Sequence, residues 1–174
     1  MKSPTNNIFL IGLMGAGKST VGKVLAKKLG RRFLDADHVI EERCGVTIPL
    51  IFEMEGEVGF RKREAQAIRA ITSENDIILA TGGGAILLPE NRQALSERGT
   101  VIYLHANPIE LWHRTKGGEG RPLLRNGDAK QILENLYAIR SPLYREIADH
   151  VIETGTPSVN QLVNTLIMQL ELSA

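Results

Sequence analysis

Residues 12–19 of this 174-residue chain read Gly-Leu-Met-Gly-Ala-Gly-Lys-Ser, directly after the apolar run Ile8 to Ile11 and directly before a helical pattern. Three glycines let the backbone turn tightly enough to aim consecutive N–H groups inward, and such a nest of donors at a helix N-terminus binds phosphate. Lys18 adds a mobile positive charge for β- and γ-phosphates, and the Ser19 hydroxyl is placed to ligate magnesium. A plain Gly-rich turn would account for the glycines but not for the lysine and hydroxyl. The chemistry indicated is binding of a nucleoside triphosphate, with Gly15, Ala16, Gly17, Lys18, Ser19 and Thr20 as the contacting residues.

Four further features bear on what accepts the phosphate. Asp35-Ala36-Asp37 closes the second expected strand. Residues two apart share a face there, so both carboxylates can project into the crevice beyond the strand ends. One could hold magnesium through water and the other could accept a hydrogen bond from an acceptor hydroxyl; Asp37 could equally serve as a helix N-cap ahead of Val39 and Ile40. Phe60-Arg61-Lys62-Arg63-Glu64 opens a helix continuing through Ile68 and Ile71, with Arg61 and Glu64 three residues apart. A rigidly held arginine fork suits a carboxylate or phosphate, although a charged helix start is often only a solvated face. Thr81-Gly82-Gly83-Gly84 follows the apolar run Ile77 to Ala80, placing bare backbone donors where a ligand can approach closely. A second arginine, Arg140, stands before Ser141-Pro142-Leu143-Tyr144 at the expected end of a long helix, where a cation also suits the helix dipole.

The elements that must position these groups alternate short apolar runs with amphipathic stretches, the pattern of an α/β protein with a mainly parallel sheet covered on both faces. Five strands are expected: Ile8 to Ile11, Phe33 to Leu34, Ile77 to Ala80, Val101 to Leu104 and Val151 to Ile152. Val21, Val24, Leu25 and Leu29 form a helical stripe closed by Gly30, and Asn107-Pro108 reads as an N-cap followed by proline at the first helical position. Asp128 with Gln131, and Ser158 with Gln161, have capping-box spacing. Thr115 to Asn126 breaks the rhythm with three glycines, two arginines and a proline. A loop of that length inside a compact domain is either a disordered surface segment or a lid, and Arg121 favours a lid that brings a cation to the transferring phosphoryl group.

Composition narrows the function classes. With 21 Lys and Arg against 20 Asp and Glu, no net basic field exists to recruit nucleic acid or an anionic membrane. The single cysteine, Cys44, excludes an intramolecular disulfide and is expected to be a small apolar filler beside Gly45. Met1 to Asn7 is polar with no long apolar stretch after it, so the expectation is a cytoplasmic chain without a signal peptide or membrane span.

Taken in order, GLMGAGKST, DAD, GFRKRE, TGGG, RPLL and RSPLY resemble the shikimate kinase family over essentially the whole chain, with no departure at a motif position. The resemblance implies a single domain over residues 1–174, a three-layer P-loop kinase fold of nucleoside-monophosphate-kinase type. Its parts would be a five-stranded parallel sheet, helices on both faces, a substrate-binding segment near 35–64 and a lid near 115–126. It implies transfer of the γ-phosphoryl of ATP to the 3-hydroxyl of shikimate, with one magnesium ion, by a monomer whose partners are those two small molecules. Carried over by position, Lys18 would contact the phosphates, Ser19 and Asp35 the metal, and Asp37 the reacting hydroxyl. Arg61 and Arg140 would grip the substrate carboxylate, Gly83 and Gly84 would offer backbone donors, Arg121 would be the lid arginine, and Arg114 and Pro157 would flank adenine. Two alternatives stay open at this point: a P-loop kinase for another hydroxylated acid such as gluconate, and a nucleotide-dependent switch or catalytically silent domain. The second is disfavoured by the lack of an Asn-Lys-x-Asp guanine-recognition motif and by the presence of Lys18, Asp37 and Arg121 together.

Overall fold

The computed structural model describes residues 6–115 and 128–173. Its strands β1 (Ile8–Ile11), β2 (Arg32–Asp35), β3 (Ile77–Ala80), β4 (Thr100–His105) and β5 (His150–Glu153) form one sheet in the order β2-β3-β1-β4-β5. Every pairing is parallel. The expected α/β architecture is therefore present. β1 and β3 are buried at every residue, whereas β2 and β5 form the partly exposed edges. Edge strands need only a short apolar run to hold their place, and β2 and β5 extend one residue beyond Phe33-Leu34 and Val151-Ile152 at each end.

Parallel strands need crossovers, and the helices supply them. They are α1 (Lys18–Leu29), α2 (Ala36–Cys44), α3 (Ile48–Ile71), α4 (Pro89–Arg98), α5 (Pro108–Thr115), α6 (Ala129–Ile147) and α7 (Val159–Leu172). α1 ends on Gly30 in the left-handed conformation, and Ser158 and Gln161 form a complete capping box at α7. Asn107 and Glu110 cap α5 reciprocally, side chain to backbone in both directions. Asp128 caps α6 through the N–H groups of Lys130 and Gln131, but the Gln131 side chain bonds Asn135 instead of returning to the cap.

Three local expectations are corrected. The helix bearing Arg61 starts at Ile48 rather than Phe60, and its two halves meet at Gly56, whose φ of 71° breaks the helical path. Arg140 lies within α6 rather than at its end: the helix runs past Pro142 to Ile147. The N-cap of α2 is Asp35, whose Oδ1 accepts from the N–H groups of Asp37 and His38, so Asp37 is released from capping. The lid segment after Thr115 and its Arg121 lie outside the described residues.

Two polar tethers hold α6 against the sheet. A 2.7 Å hydrogen bond joins His105 Nε2 to Tyr137 Oη, and a buried 3.1 Å bond joins Tyr103 Oη to Ser141 Oγ. On the opposite flank, Gly22 lets α1 settle onto β2: a methyl group there would collide with the Phe33 ring and stand 3.2 Å from Leu10 Cδ1. In an exposed helix Gly→Ala stabilises by about 1 kcal/mol, but forced overpacking costs about 1–3 kcal/mol. Gly22→Ala is therefore expected to lower the thermal midpoint, measured by calorimetry, where propensity alone would raise it.

Candidate active site

The loop after β1 occupies the carboxyl end of the central strand. Gly12, Gly15 and Gly17 have φ values of 149°, 83° and 98°, which side-chain-bearing residues rarely adopt. Lys18 Nζ donates to the carbonyls of Gly12 and Leu13 at 2.6 and 2.9 Å, folding the ammonium back over the loop it serves. Ser19 Oγ donates to Asp35 Oδ2 at 2.6 Å. These two oxygens, beside a phosphate-binding loop and without nitrogen or sulfur ligands, fit the hard coordination preference of magnesium, which binds few protein groups and takes phosphate and water for the rest.

A crevice of about 600 Å³ joins this loop to the residues expected to hold the acceptor. Gly15, Gly17, Lys18, Ser19, Thr20, Asp35, Asp37, Arg61, Gly83, Gly84, Arg114 and Arg140 all line it. Ala16 is buried behind the loop, and Pro157 is exposed in the β5–α7 connection and does not line the crevice. Arg114 donates to the Gly15 carbonyl and, at 2.7 Å, to the Thr154 carbonyl, tying that connection to the phosphate loop.

Charge is distributed unevenly across the crevice. Asp37 opens onto it, yet crowding by its walls desolvates the carboxylate, and with Asp35 alongside this raises its pKa above the usual aspartate range despite the opposing charge of Lys18. Arg61 Nη1 donates to Glu64 Oε1 at 2.9 Å and Nη2 to Glu57 at 3.2 Å. Its guanidinium also stands 5.2 Å from the centre of the Phe60 ring. Glu64, 1% exposed, is pushed up by burial against the pull of the Arg61 charge and hydrogen bond. Arg140 is 4% exposed and, among the described residues, no carboxylate lies within ion-pair distance of it. Burial lowers its pKa, but an arginine starts high enough to stay charged.

The two arginines converge on one turn. A methyl group at Gly84 would collide with the Arg61 guanidinium, and one at Gly83 would stand 3.4 Å from Arg140 Nη1. A methyl at Gly82 would meet Glu64 Oε2 at 2.9 Å and Asp37 Oδ1 at 3.0 Å. Bare glycine at three consecutive positions thus makes room for two cations and two carboxylates around one stretch of backbone. Sequence reasoning did not assign Glu64 to the crevice wall, nor Ile48, Pro49 and Phe52, which give it an apolar side. Glu64 shares the buried face of α3 with Phe60, Ala67, Ile68 and Ile71, and that helical spacing is the signal for it; the first half of α3 lies before the motif that starts at Phe60 and carries no such signal.

A phosphate-binding loop at the carboxyl edge of a parallel sheet, opening into a pocket with two guanidiniums and a free carboxylate, defines a P-loop phosphotransferase acting on a small anionic acceptor. A family model described as shikimate kinase matches residues 14–171. The shikimate kinase of Burkholderia lata is 59% identical over 172 residues, 99% of this chain and 94% of that protein. The structure of shikimate kinase from Acinetobacter baumannii in complex with shikimate superposes with a TM-score of 0.93 at 49% identity, covering 98% of this chain and 94% of that one. A gluconokinase from Sinorhizobium meliloti shares the fold alone, with a TM-score of 0.55 at 14% identity over 100% of this chain and 99% of that one. The chain belongs to the shikimate kinase family, whose reaction transfers the γ-phosphoryl group of ATP to the 3-hydroxyl of shikimate, a step toward chorismate and the aromatic amino acids.

Gly84 tests the convergence directly. Its φ of −96° suits any residue, so alanine there strains no backbone and acts only by displacing the Arg61 guanidinium. Loss of a charged hydrogen bond corresponds to a shikimate affinity weakened about ten- to hundred-fold. Calorimetric titration of Gly84→Ala is expected to show that loss with ATP affinity unchanged.

Proposed function

We propose that this crevice carries out the family's transfer with Arg61 and Arg140 gripping the shikimate carboxylate and Asp37 holding the 3-hydroxyl in line with the γ-phosphate. The observation that carries the reading is the convergence of two guanidiniums on the Gly83-Gly84 turn, in the same crevice as Asp37 and the phosphate loop. Two forks fixed around one anion select a carboxylate, and the Asp37 carboxylate beside the same turn selects a hydroxyl. The structure of the Acinetobacter baumannii relative, which is a complex with shikimate, supports that acceptor.

On the donor side, the backbone N–H groups of Gly15, Ala16, Gly17, Ser19 and Thr20 cradle the phosphates, and Lys18 turns from the Gly12 and Leu13 carbonyls to the β- and γ-oxygens. Ser19, with Asp35 through water, would hold one magnesium ion, which supplies charge neutralisation along the triphosphate. Arg114 and Pro157 flank adenine, a placement supported by the bonds from Arg114 to the β5–α7 connection. Arg121 is assigned to the lid, from which its cation meets the transferring phosphoryl group. The chain works as a monomer in the cytoplasm. Among the described residues no helix is long and apolar enough to cross a membrane.

Phosphoryl transfer has a loose transition state, so the acceptor side gains mostly from orientation and gives up its proton late. The raised pKa of Asp37 suits that work, since a carboxylate made more basic by desolvation takes the hydroxyl proton more readily as the new O–P bond forms. Asn at this position keeps an acceptor oxygen but loses the charge and basicity. Asp37→Asn is expected to fold normally, bind ATP with unchanged affinity, and lose about a hundred-fold or more in kcat. In the parent enzyme kcat/KM is expected to fall toward acid as Asp37 protonates, with a midpoint above the usual aspartate range; that acid limb should vanish in the variant. An ADP-release assay across pH measures both. A variant within a few-fold of the parent kcat, with chemistry limiting turnover, would remove Asp37 from proton transfer.

A further inference from the structure

Tyr144 is 0% exposed beneath the crevice, and no role assigned above uses it. Its ring packs on Tyr103 with centroids 4.9 Å apart, and Tyr103 is itself bonded to Ser141. The Tyr144 hydroxyl donates to the carbonyl of Gly83. The charge of the Arg140 guanidinium, one helical turn earlier on α6, acts on that hydroxyl. Burial pushes the phenol pKa up, so the group stays neutral, with one proton to give and lone pairs to accept. Giving the proton to Gly83 leaves a lone pair for Arg140. One oxygen thereby joins two pieces of the acceptor site that are distant in sequence, the turn after β3 and the arginine of α6.

Peptide geometry extends the consequence. A trans peptide group is planar, with its C=O and N–H pointing in opposite directions. Fixing the Gly83 carbonyl toward Tyr144 therefore turns the Gly84 N–H away from it. The Arg140 guanidinium lies over the same stretch of backbone, 3.4 Å from where a Cβ of Gly83 would be.

We propose that Tyr144 is a positioning residue for acceptor binding: its hydroxyl locks the Arg140 guanidinium and the Gly83-Gly84 peptide into the relative geometry that receives the shikimate carboxylate. Tyr144 touches no substrate and acts through those two groups. The proposal rests on the assignment of Arg140 to that carboxylate. Without the hydroxyl, the Gly83 carbonyl loses its donor and the guanidinium loses the contact that holds it in place, so acceptor affinity falls while the phosphate loop is undisturbed.

Tyr144→Phe removes the hydroxyl and keeps the ring packing. Calorimetry is expected to show shikimate affinity weakened about ten-fold, the scale of one net hydrogen bond, with ATP affinity and kcat at saturating shikimate retained. In an Arg140→Ala background the same substitution is expected to cost much less, because the group it positions is gone. If Tyr144→Phe leaves shikimate affinity unchanged while Arg140→Ala weakens it, the positioning role is overturned and the assignment of Arg140 stands. If Arg140→Ala has no effect on shikimate affinity, that assignment fails and the proposal fails with it. A lower melting temperature with both affinities intact, or fully additive losses in the double variant, also overturns the proposal. Should Tyr144→Phe not fold, fluorotyrosine incorporated at Tyr144 retains the ring and hydroxyl and alters only the strength of its bonds. Shikimate affinity is then expected to change with ATP affinity constant, and an unchanged shikimate affinity overturns the proposal.

Discussion

Arg140 is a buried cation with no carboxylate paired to it among the described residues, and much of the acceptor half of the molecule is arranged around that fact. A buried charge is costly unless polar groups meet it, and leaving it unpaired makes sense where an anionic ligand completes it. The surroundings meet part of the demand. Tyr144 offers its hydroxyl, the carboxylates of Glu57 and Glu64 act on it at longer range, and Arg61 repels it. Arg61 is treated differently, held by direct bonds to Glu64 and Glu57. One fork is thus fixed by carboxylates, while the other faces the crevice with no carboxylate at ion-pair distance among the described residues.

Holding that charge in place depends on the sheet. The turn at Gly82 to Gly84 is set by β3, whose carboxyl end stands beside that of β1 and hence beside the phosphate loop. α6 is pinned to β4 by the Tyr103–Ser141 and His105–Tyr137 bonds, which fixes where Arg140 and Tyr144 emerge. The sheet therefore sets the separation between donor and acceptor sites. The carboxyls of Asp37 and Glu64, both raised by burial, favour the fold most in their protonated form, and that contribution is lost as pH rises through their folded-state values. Ionising these two groups in the folded protein therefore comes at a cost in stability.

Much of this was legible in the chain. The phosphate loop carries its own context, and the buried strands β1, β3 and β4 are continuous apolar runs because both faces of a parallel sheet are covered. What stayed hidden has physical reasons. α4 presents little apolar periodicity, burying only Asn91 and Leu95, so it looks like a polar loop until α3 and the sheet provide its partners. Pro142 suggested a helix end, since proline lacks the N–H that would bond back one turn, but the packing of Ser141, Tyr144 and Ile147 carries α6 past it. Asp35 rather than Asp37 caps α2, a choice between two identical side chains that backbone geometry alone decides. Tyr144 and Glu64 are visible as residues within motifs, but the bond from Tyr144 to Gly83 and the approach of Glu64 to Gly82 join segments far apart in sequence, and spacing along one helix cannot show them.

The central claim is that two guanidiniums in one crevice recognise the acceptor by its carboxylate. The most direct measurement leaves the protein untouched and changes the ligand: titration of the enzyme with shikimate and with its methyl ester, which keeps the ring and hydroxyls and removes the charge. Loss of charged hydrogen bonds to both arginines predicts binding of the ester weaker by about a hundred-fold. Equal affinity for acid and ester would contradict the account.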